Sequence, residues 1–386
     1  MATFSRHISR LCLIHTNSND MKRNVPFLFA LVLSILITII VYSSCSQVRI
    51  PIIKSTSVMV DVKDGSDFKK SGWRISPKIK PDVYKTHKKD NKVTLYTDID
   101  SISFMVKPNK TYDFIILLNG KDSAYTQIKY TPSFLDVLKI GRKYDYRDNK
   151  ANVEFTYKSE GNLDLISLRN KFRLDSIAGT GNEISKYLNI LHWVHTTFHH
   201  DGTKDAPKSN GVEDLMTKCI KEQKTMDCGS LATVLNDCYL ALGFQSRRII
   251  CLPKDSTDFD CHSINTVYSK THKKWLWMDP TNDAYVMNEH NELLSISEVR
   301  DRLVNDKPLK LNSDANWNHI DSIKAEDYLY NYMAKNLYAL QCSYDSSGVS
   351  KWVVLLPLEY KGIIPRTKWS NPVCTHNPDI FWAIPK

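Results

Sequence analysis

Hydrophobic and polar residues alternate in the segment that begins at Lys92, which is the pattern of half-buried β-strands. Four stretches carry this pattern and are rich in β-branched and aromatic residues: KVTLYTD, ISFMV, YDFIILL and SAYTQIKY. The last two are separated by Asn119 and Gly120, a dipeptide typical of a tight hairpin turn. We therefore predict a small antiparallel β domain over residues 92–150. The polar, lysine-rich residues 46–91 indicate a tether and an irregular lead-in.

Helical and strand-like stretches are mixed in residues 151–296. Apolar residues recur at helical spacing in SKYLNILHWVHTTF, over residues 212–220 and over residues 231–242, which predicts three helices. Three strands are predicted by SRRIICL, SINTVYS and KKWLWMD. Further helical stretches and the strand-like WVVLLPLEY predict a C-terminal α/β extension over residues 297–386. The pattern as a whole indicates an α+β protein.

The first 45 residues have the features of a segment that attaches a protein to a membrane. The uncharged stretch VPFLFALVLSILITIIVY follows Lys22 and Arg23 and is marginally long enough for an anchor helix with its positive flank in the cytoplasm. The alternative is a secretory signal. Read from Met21, the segment resembles a bacterial lipoprotein signal, in which Cys45 is lipidated and becomes the mature N-terminus. Both interpretations predict that residues 46–386 are extracytoplasmic and membrane-attached.

The net charge of +10 does not by itself indicate nucleic-acid binding. Basic residues come as short, dispersed pairs such as Lys69-Lys70, whereas a nucleic-acid site needs a clustered basic patch. We therefore expect no nucleic-acid partner. The partners that we expect are a peptide or protein substrate and the membrane.

Seven of the nine cysteines remain when Cys12 and Cys45 are set aside. An odd number leaves at least one thiol without a disulfide partner in its own chain, which is a reason to look for a reactive cysteine. No Cys/His set has zinc-finger spacing, and the adjacent histidines His199 and His200 project in different directions. We therefore assign no metal and no other cofactor.

Three residues with complementary chemistry stand at the ends of predicted elements. Cys228 precedes a helix, His262 opens a strand, and Asp279 closes one directly before Pro280. A helix N-terminus lowers the pKa of a thiol, which makes the thiolate available as a nucleophile. An imidazole stabilises that thiolate and transfers protons, and a carboxylate orients the imidazole. The three residues are therefore candidates for one catalytic site.

The segments DCGSLATVLNDCYLALGFQSRRI, HSINTVYS and KKWLWMDPT resemble the transglutaminase-like superfamily over about residues 165–285. The helix that ends in HTTFHHDG is similar to the one that precedes the core of that family. The resemblance implies a papain-like, transglutaminase-like core, which we place at residues 151–296. It also implies roles for three residues: Cys228 as the nucleophile, His262 as the general base and acid, and Asp279 as the residue that orients the histidine.

Stabilisation of the oxyanion requires hydrogen-bond donors near the nucleophile. The backbone N–H of Cys228 is the natural first donor. Among side chains of the preceding loop, Gln223 is the best candidate by chemistry, with a solvent-facing glutamine as the alternative. The aromatic residue that many relatives carry just after the histidine is replaced here by Ser263 and Ile264, so the wall beside the imidazole is expected to differ.

The function expected from these residues is that of an extracytoplasmic, transglutaminase-like cysteine enzyme. Cys228 would form a thioester with a peptide or protein amide and release an amine. Water as the acceptor would give a protease or amidase, and an amine as the acceptor would give an acyltransferase. The alternative is an inactive transglutaminase-like scaffold that binds peptide or glycan of the cell envelope.

Overall fold

The computed structural model describes residues 50–255, 258, 260–346, 351–360 and 372–385. The chain divides into two compact units, one ending at Tyr130 and the other beginning at Thr131. The predicted membrane segment and Cys45 lie outside the described residues, so their roles remain predictions. Within the residues that are described, no helix has the length and apolar character needed to cross a bilayer.

The first unit is a sandwich of two four-stranded sheets, with strand orders β1-β7-β8-β4 and β3-β2-β5-β6. The β1–β7 and β4–β8 pairs are parallel and the other pairs are antiparallel. Residues from both sheets fill one core, in which Val93, Leu95, Phe114 and Ile116 are fully buried. The strands are β1 (Ile52–Ser55), β2 (Met59–Asp64), β3 (Asp67–Arg74), β4 (Asp82–Thr86), β5 (Asn91–Tyr96), β6 (Ser101–Val106), β7 (Thr111–Leu118) and β8 (Asp122–Tyr130).

The irregular lead-in predicted for residues 46–91 is wrong, because β1 to β4 occupy most of the described part of this segment. In β3 only Trp73 is even partly buried, so the strand has no apolar alternation to reveal it. The parallel partners of β1 and β4 are distant in sequence, and no local pattern encodes them. The C-terminal boundary at residue 150 is also wrong, since residues 131–150 belong to the second unit.

The second unit is built on a six-stranded sheet with the order β11-β10-β9-β16-β17-β18. Its pairs are antiparallel except for β17 and β18. The strands of this unit are β9 (Ser246–Leu252), β10 (His262–Ser269), β11 (Lys274–Met278), β12 (Val286–Met287), β13 (Lys310–Leu311), β14 (Asn316–Trp317), β15 (Asp321–Ser322), β16 (Ala339–Ser343), β17 (Trp352–Leu355) and β18 (Val373–Thr375). The three strands predicted from SRRIICL, SINTVYS and KKWLWMD are β9, β10 and β11.

Helices cover both faces of this sheet because its strands alternate between two apolar sides. Ile249, Ile264 and Trp277 enter one core cluster, whereas Leu276 and Met278 enter the other. The helices are α1 (Phe134–Ile140), α2 (Leu163–Lys171), α3 (Leu174–Ala178), α4 (Glu183–Thr197), α5 (Val212–Glu222), α6 (Cys228–Ala241), α7 (Ile296–Val304), the π-helical α8 (Glu326–Met333), α9 (Ala334–Asn336) and α10 (Pro378–Phe381). The three helices predicted in the central region correspond to α4, α5 and α6. Helices α2 to α6 pack in the second cluster, and α1, α7 and α8 pack in the first.

The predicted α+β class is confirmed, but residues 297–386 are not an extension that packs against a finished core. Strands β16, β17 and β18 supply half of the central sheet, and β16 pairs directly with β9. The same residues include α8, whose Tyr328 and Leu329 lie in the buried cluster. The separation at residue 296 is therefore wrong, because a sheet order cannot be read from local patterns.

Candidate active site

Cys228 is the first residue of α6, and its position is fixed by contacts at both ends of the first turn. Asp227 caps the helix through its Oδ1 atom, which accepts a hydrogen bond of 2.7 Å from the backbone N–H of Ser230. From β9, Arg248 Nη1 donates to the hydroxyl of Thr233 at 2.9 Å. From β10, the side chain of Asn265 donates to the carbonyl of Ala232 at 2.9 Å. These bonds fix the thiol relative to the sheet.

His262 and Asp279 lie side by side because of the antiparallel pairing of β10 and β11. His262 is the first residue of β10, and Asp279 follows the last residue of β11. The His262 Nε2 atom is 2.8 Å from Asp279 Oδ2, and both side chains are almost completely buried. This contact leaves Nδ1 of the same ring for the hydrogen bond between His262 and the sulfur of Cys228. The structure thus brings the three predicted side chains into one continuous chain of contacts.

The carboxylate of Asp279 accepts further hydrogen bonds that hold it in place. Tyr328 Oη donates to Oδ2 at 2.5 Å, and the side-chain amide of Asn282 donates to the same oxygen at 2.9 Å. The backbone N–H of Thr281 donates to Oδ1 at 2.9 Å. Burial raises the pKa of Asp279. The adjacent His262 and the side-chain donors lower this pKa by more than burial raises it, so the net shift is downward. The group is therefore an ionised, oriented acceptor for the imidazole.

The electrostatics of the site favour a thiolate and an imidazolium. Burial raises the pKa of the Cys228 thiol, but hydrogen bonds from the His200 and His262 rings, the charge of His262 and the Ser263 backbone N–H bring it down to about 6. Burial lowers the pKa of His262, whereas the charge and hydrogen bond of Asp279 and the contact with Cys228 raise it to about 10. Between these two values the sulfur is negative and the ring is positive.

Three residues at the site were not identified from the sequence. His200 contacts the sulfur, Tyr328 holds Asp279, and the Tyr332 ring stacks edge-on against His262 with 5.3 Å between the centroids. Tyr332 provides the aromatic wall that the residues after His262 do not. His199 and His200 are adjacent in the sequence, and only the contacts in the structure distinguish the two. Both tyrosines come from α8, which no local motif connects with the nucleophile.

The Gln223 side chain makes no contact with Cys228 that is seen among the described residues, so its role as an oxyanion donor stays a prediction. The residue is exposed and adopts a left-handed backbone conformation, with φ of 50°, at the C-terminal end of α5. This position agrees with the alternative, a solvent-facing glutamine that ends a helix. The structure thus gives no support to Gln223 as the oxyanion donor.

The remaining cysteines and histidines do not form a second chemical centre in the described part of the chain. None of its seven cysteines forms a disulfide, and Cys238 is fully buried on α6, as expected for a small apolar residue of the core. Among the same residues, no cluster of three or more His, Cys, Asp or Glu side chains has a geometry suited to a metal ion.

Residues 171–280 match the family model of the transglutaminase-like superfamily. The matched segment contains Cys228, His262 and Asp279, together with α4 to α6 and β9 to β11. We therefore assign the central region of the chain to this superfamily, as the sequence motifs predicted. The assignment supports a protease-like or transglutaminase-like function. A search of curated proteins finds no match.

The solved structures that the chain matches in part include a candidate cysteine protease, LapG and a transglutaminase. A candidate cysteine protease from Cytophaga hutchinsonii is 15% identical, with a TM-score of 0.25, over 46% of this chain and 58% of its own. LapG of Legionella pneumophila is 10% identical, with a TM-score of 0.25, over 37% of this chain and 78% of its own. Red sea bream transglutaminase is 11% identical, with a TM-score of 0.24, over 65% of this chain and 52% of its own. At these TM-scores the similarities carry no functional inference.

Proposed function

We propose that the protein is a cysteine enzyme that cleaves or transfers the acyl group of peptide or protein amides through a thioester on Cys228. The observation that carries the proposal is the continuous contact from the Cys228 sulfur through the His262 ring to the Asp279 carboxylate. The lowered pKa of Cys228 and the raised pKa of His262 support a nucleophilic thiolate near neutral pH. The catalytic role that we propose for each of the three residues follows from its position in this series of contacts.

In the acylation step, the Cys228 thiolate attacks the amide carbonyl and a C–S bond forms. The C–N bond then breaks, and the imidazolium of His262 gives its Nδ1 proton to the leaving amine. Asp279 stabilises the imidazolium and keeps the ring in the orientation that this transfer needs. The backbone N–H of Cys228, at the open N-terminus of α6, is one donor for the oxyanion.

In the deacylation step, neutral His262 removes a proton from the acceptor as that acceptor attacks the thioester. The C–S bond breaks, the sulfur leaves as a thiolate, and the imidazolium is restored. With water the product is a free acid, and with a primary amine it is a new amide. Both reactions use the same residues, so the acceptor decides between hydrolase and transferase.

We further propose that the substrate is met outside the cytoplasm. The basis is the N-terminal pattern of Lys22 and Arg23 followed by an uncharged stretch and Cys45, which suits either a lipoprotein signal or an anchor helix. A peptide or protein of the cell envelope is the substrate class that this location implies.

The activation of Cys228 can be tested with an internal control. Cys374 is exposed, and desolvation raises the pKa of its thiol, so it represents a cysteine that is not activated. We expect iodoacetamide to modify Cys228 much faster than Cys374 at pH 7. The Cys228 rate should fall only when the pH is lowered through about 6, where the thiolate takes up a proton. Peptide mass spectrometry at each pH gives both rates. Equal rates at the two cysteines would contradict the proposal.

The reaction itself can be tested with a peptide library, with and without an added primary amine. Mass spectrometry should detect free acids or cleaved peptides if water is the acceptor, and amine adducts if the acyl group is transferred. Cys228→Ala and His262→Ala should abolish both products. Peptide binding without any product in the unsubstituted protein would instead support the inactive scaffold.

A further inference from the structure

A second imidazole, that of His200, lies close to the sulfur of Cys228. His200 precedes the nucleophile in the sequence, whereas His262 follows it. His200 follows the end of α4 and is half-buried. Its ring lies within hydrogen-bonding reach of the thiol sulfur, and together with the His262 ring it lowers the pKa of that thiol. The proposed acylation mechanism gives this ring no role, yet it touches a reacting atom.

The protonation of the His200 ring follows from its second contact. The indole Nε1 of Trp317 lies 3.1 Å from His200 Nδ1. An indole N–H can only donate, so Nδ1 must be the acceptor and cannot carry a proton. The proton of the ring is then on Nε2. Nε2–H is therefore the group that can donate to the sulfur.

The backbone of His200 is fixed from two directions. The side chain of Asn318 accepts from the His200 backbone N–H and donates to its carbonyl, both at 2.8 Å. On the other side, His200 forms a β-bridge with Met226, two residues before the nucleophile. The ring thus has a fixed position relative to α6 and a fixed tautomer. Such preorganised donors are effective at developing negative charge.

The hairpin that provides Trp317 is tied to the rest of the site. Its strands β14 and β15 pair with each other, and the backbone N–H of Asn316 donates to the carbonyl of Asn282 at 3.0 Å. Asn282 in turn donates to Asp279. The hairpin lies outside residues 171–280, so this contact belongs to the chain and not to the matched family region.

We propose that His200 is a catalytic residue whose Nε2–H donates to the Cys228 thiolate at rest and to the oxyanion during acylation and deacylation. Trp317 is a positioning residue that keeps the proton on Nε2. The oxyanion oxygen is two bonds from the sulfur, so a donor held at the sulfur is also close to the position of the oxyanion. No covalent bond forms to His200, and its proton stays on the ring. This role rests on the proposed function and takes the place expected for Gln223.

The test uses His200→Phe, which keeps a ring but removes the donor, and His200→Gln, which restores an N–H donor. His199→Gln is the matched control, because His199 is exposed and adjacent in sequence. Alkylation of Cys228 against pH should show the thiol pKa raised by roughly one unit or more in His200→Phe, since a hydrogen bond to the charged sulfur is lost. His200→Gln should recover part of the shift, and His199→Gln should show none.

Acylation by a peptide substrate gives a second readout. We expect kcat to fall about 10²- to 10³-fold in His200→Phe with little change in KM, as for the loss of one oxyanion donor. Trp317→Phe should lower kcat less. The His200 ring remains in this variant, but its proton can be on either nitrogen. Melting temperatures close to that of the unsubstituted protein would exclude a loss of folding. If His200→Phe does not fold, His200→Gln and Trp317→Phe carry the test: unchanged thiol pKa and kcat in Trp317→Phe would overturn the role of the fixed tautomer.

Unchanged alkylation and acylation in folded His200→Phe would overturn the proposal, while His262→Ala would still abolish turnover if the proposed function is correct. Turnover that persists in His262→Ala would overturn the proposed function alone. If the unsubstituted protein forms no acyl-enzyme with any peptide, the alkylation profile still decides whether His200 supports the thiolate: a shift supports the contact and no shift refutes it.

Discussion

At the scale of single residues, Asp279 shows how a buried charge is kept in this protein. Its two oxygens accept hydrogen bonds from His262, Asn282, Thr281 and Tyr328. Burial of an unpaired carboxylate would be strongly unfavourable, so each donor offsets part of the lost solvation. The same bonds prevent rotation of the carboxylate, which fixes the orientation of the imidazole. Stability and orientation therefore depend on the same contacts.

Tyr328→Phe should lower the free energy of unfolding at pH 7 by about 1.5–3 kcal/mol, because it removes a hydrogen bond to a charged acceptor. It should also raise the pKa of Asp279. An aspartate with a depressed pKa stabilises the fold above its unfolded pKa, and this stabilisation is lost as the pH falls through the folded value. Acid unfolding of Tyr328→Phe should therefore begin at a higher pH. Denaturant titrations between pH 3 and 7, roughly the window around the ordinary carboxylate pKa, measure both effects.

The matched control for this prediction is Tyr338→Phe. Tyr338 is as buried as Tyr328, but its hydroxyl has no hydrogen-bond partner among the described residues. Its removal should leave the free energy of unfolding almost unchanged or slightly higher. Equal losses in the two variants would show that the Tyr328 hydroxyl does not stabilise Asp279.

At the scale of elements, the site could be predicted where its residues stand at the ends of regular segments. Cys228 begins a helix with an apolar face, and His262 and Asp279 mark the ends of two strands with clear patterns. Chain direction and antiparallel pairing then place them together. His200, Trp317 and Tyr328 could not be found in this way, because two lie beyond the matched segment and all depend on contacts between distant elements.

The cap of α6 gives a prediction that separates helix stability from charge. Asp227→Ala should cost about 1 kcal/mol of unfolding free energy, because the Ser230 N–H loses its acceptor. Asp227→Asn removes the charge but keeps a good cap. Only Asp227→Ala loses the cap of the turn that carries Cys228, so alkylation of Cys228 should be slower in Asp227→Ala than in Asp227→Asn. Thermal unfolding and alkylation rates measure the two effects.

Asn182, which caps α4 through a bond to the Ser185 N–H, supplies the control. Asn182→Ala should cost a similar free energy and leave the reactivity of Cys228 unchanged, because α4 does not carry the thiol. If both Ala variants slowed alkylation equally, general destabilisation and not the first turn of α6 would be the cause.

At the scale of the whole molecule, the sequence patterns identified the strands and helices around the nucleophile but not the division of the chain. Local alternation revealed β5 to β11, whereas the exposed β3 and the parallel partners of β1 and β4 left no such pattern. The association of β16 with β9 joins residues almost ninety positions apart, as the pairing of Leu340 with Cys251 illustrates. Domain boundaries depend on such pairings, so they were predicted least well.

The core clusters lead to a prediction about fragments. Every buried residue of the first unit's cluster precedes residue 131, and every residue of the other clusters follows it. Each unit thus has a hydrophobic core of its own, which is the requirement for independent folding. We expect a fragment of residues 131–386 to unfold cooperatively and to keep the rapid alkylation of Cys228.

A fragment of residues 131–296 should behave differently, although it contains Cys228, His262 and Asp279. It lacks three strands of the six-stranded sheet and the hydroxyl of Tyr328, so β9 would expose an unpaired edge and Asp279 would lose a donor. We expect no cooperative transition by circular dichroism and a Cys228 alkylation rate close to that of a free thiol. A cooperative transition with rapid alkylation would mean that residues 297–386 are dispensable, because the matched family region would then hold the three side chains together without the other half of the sheet.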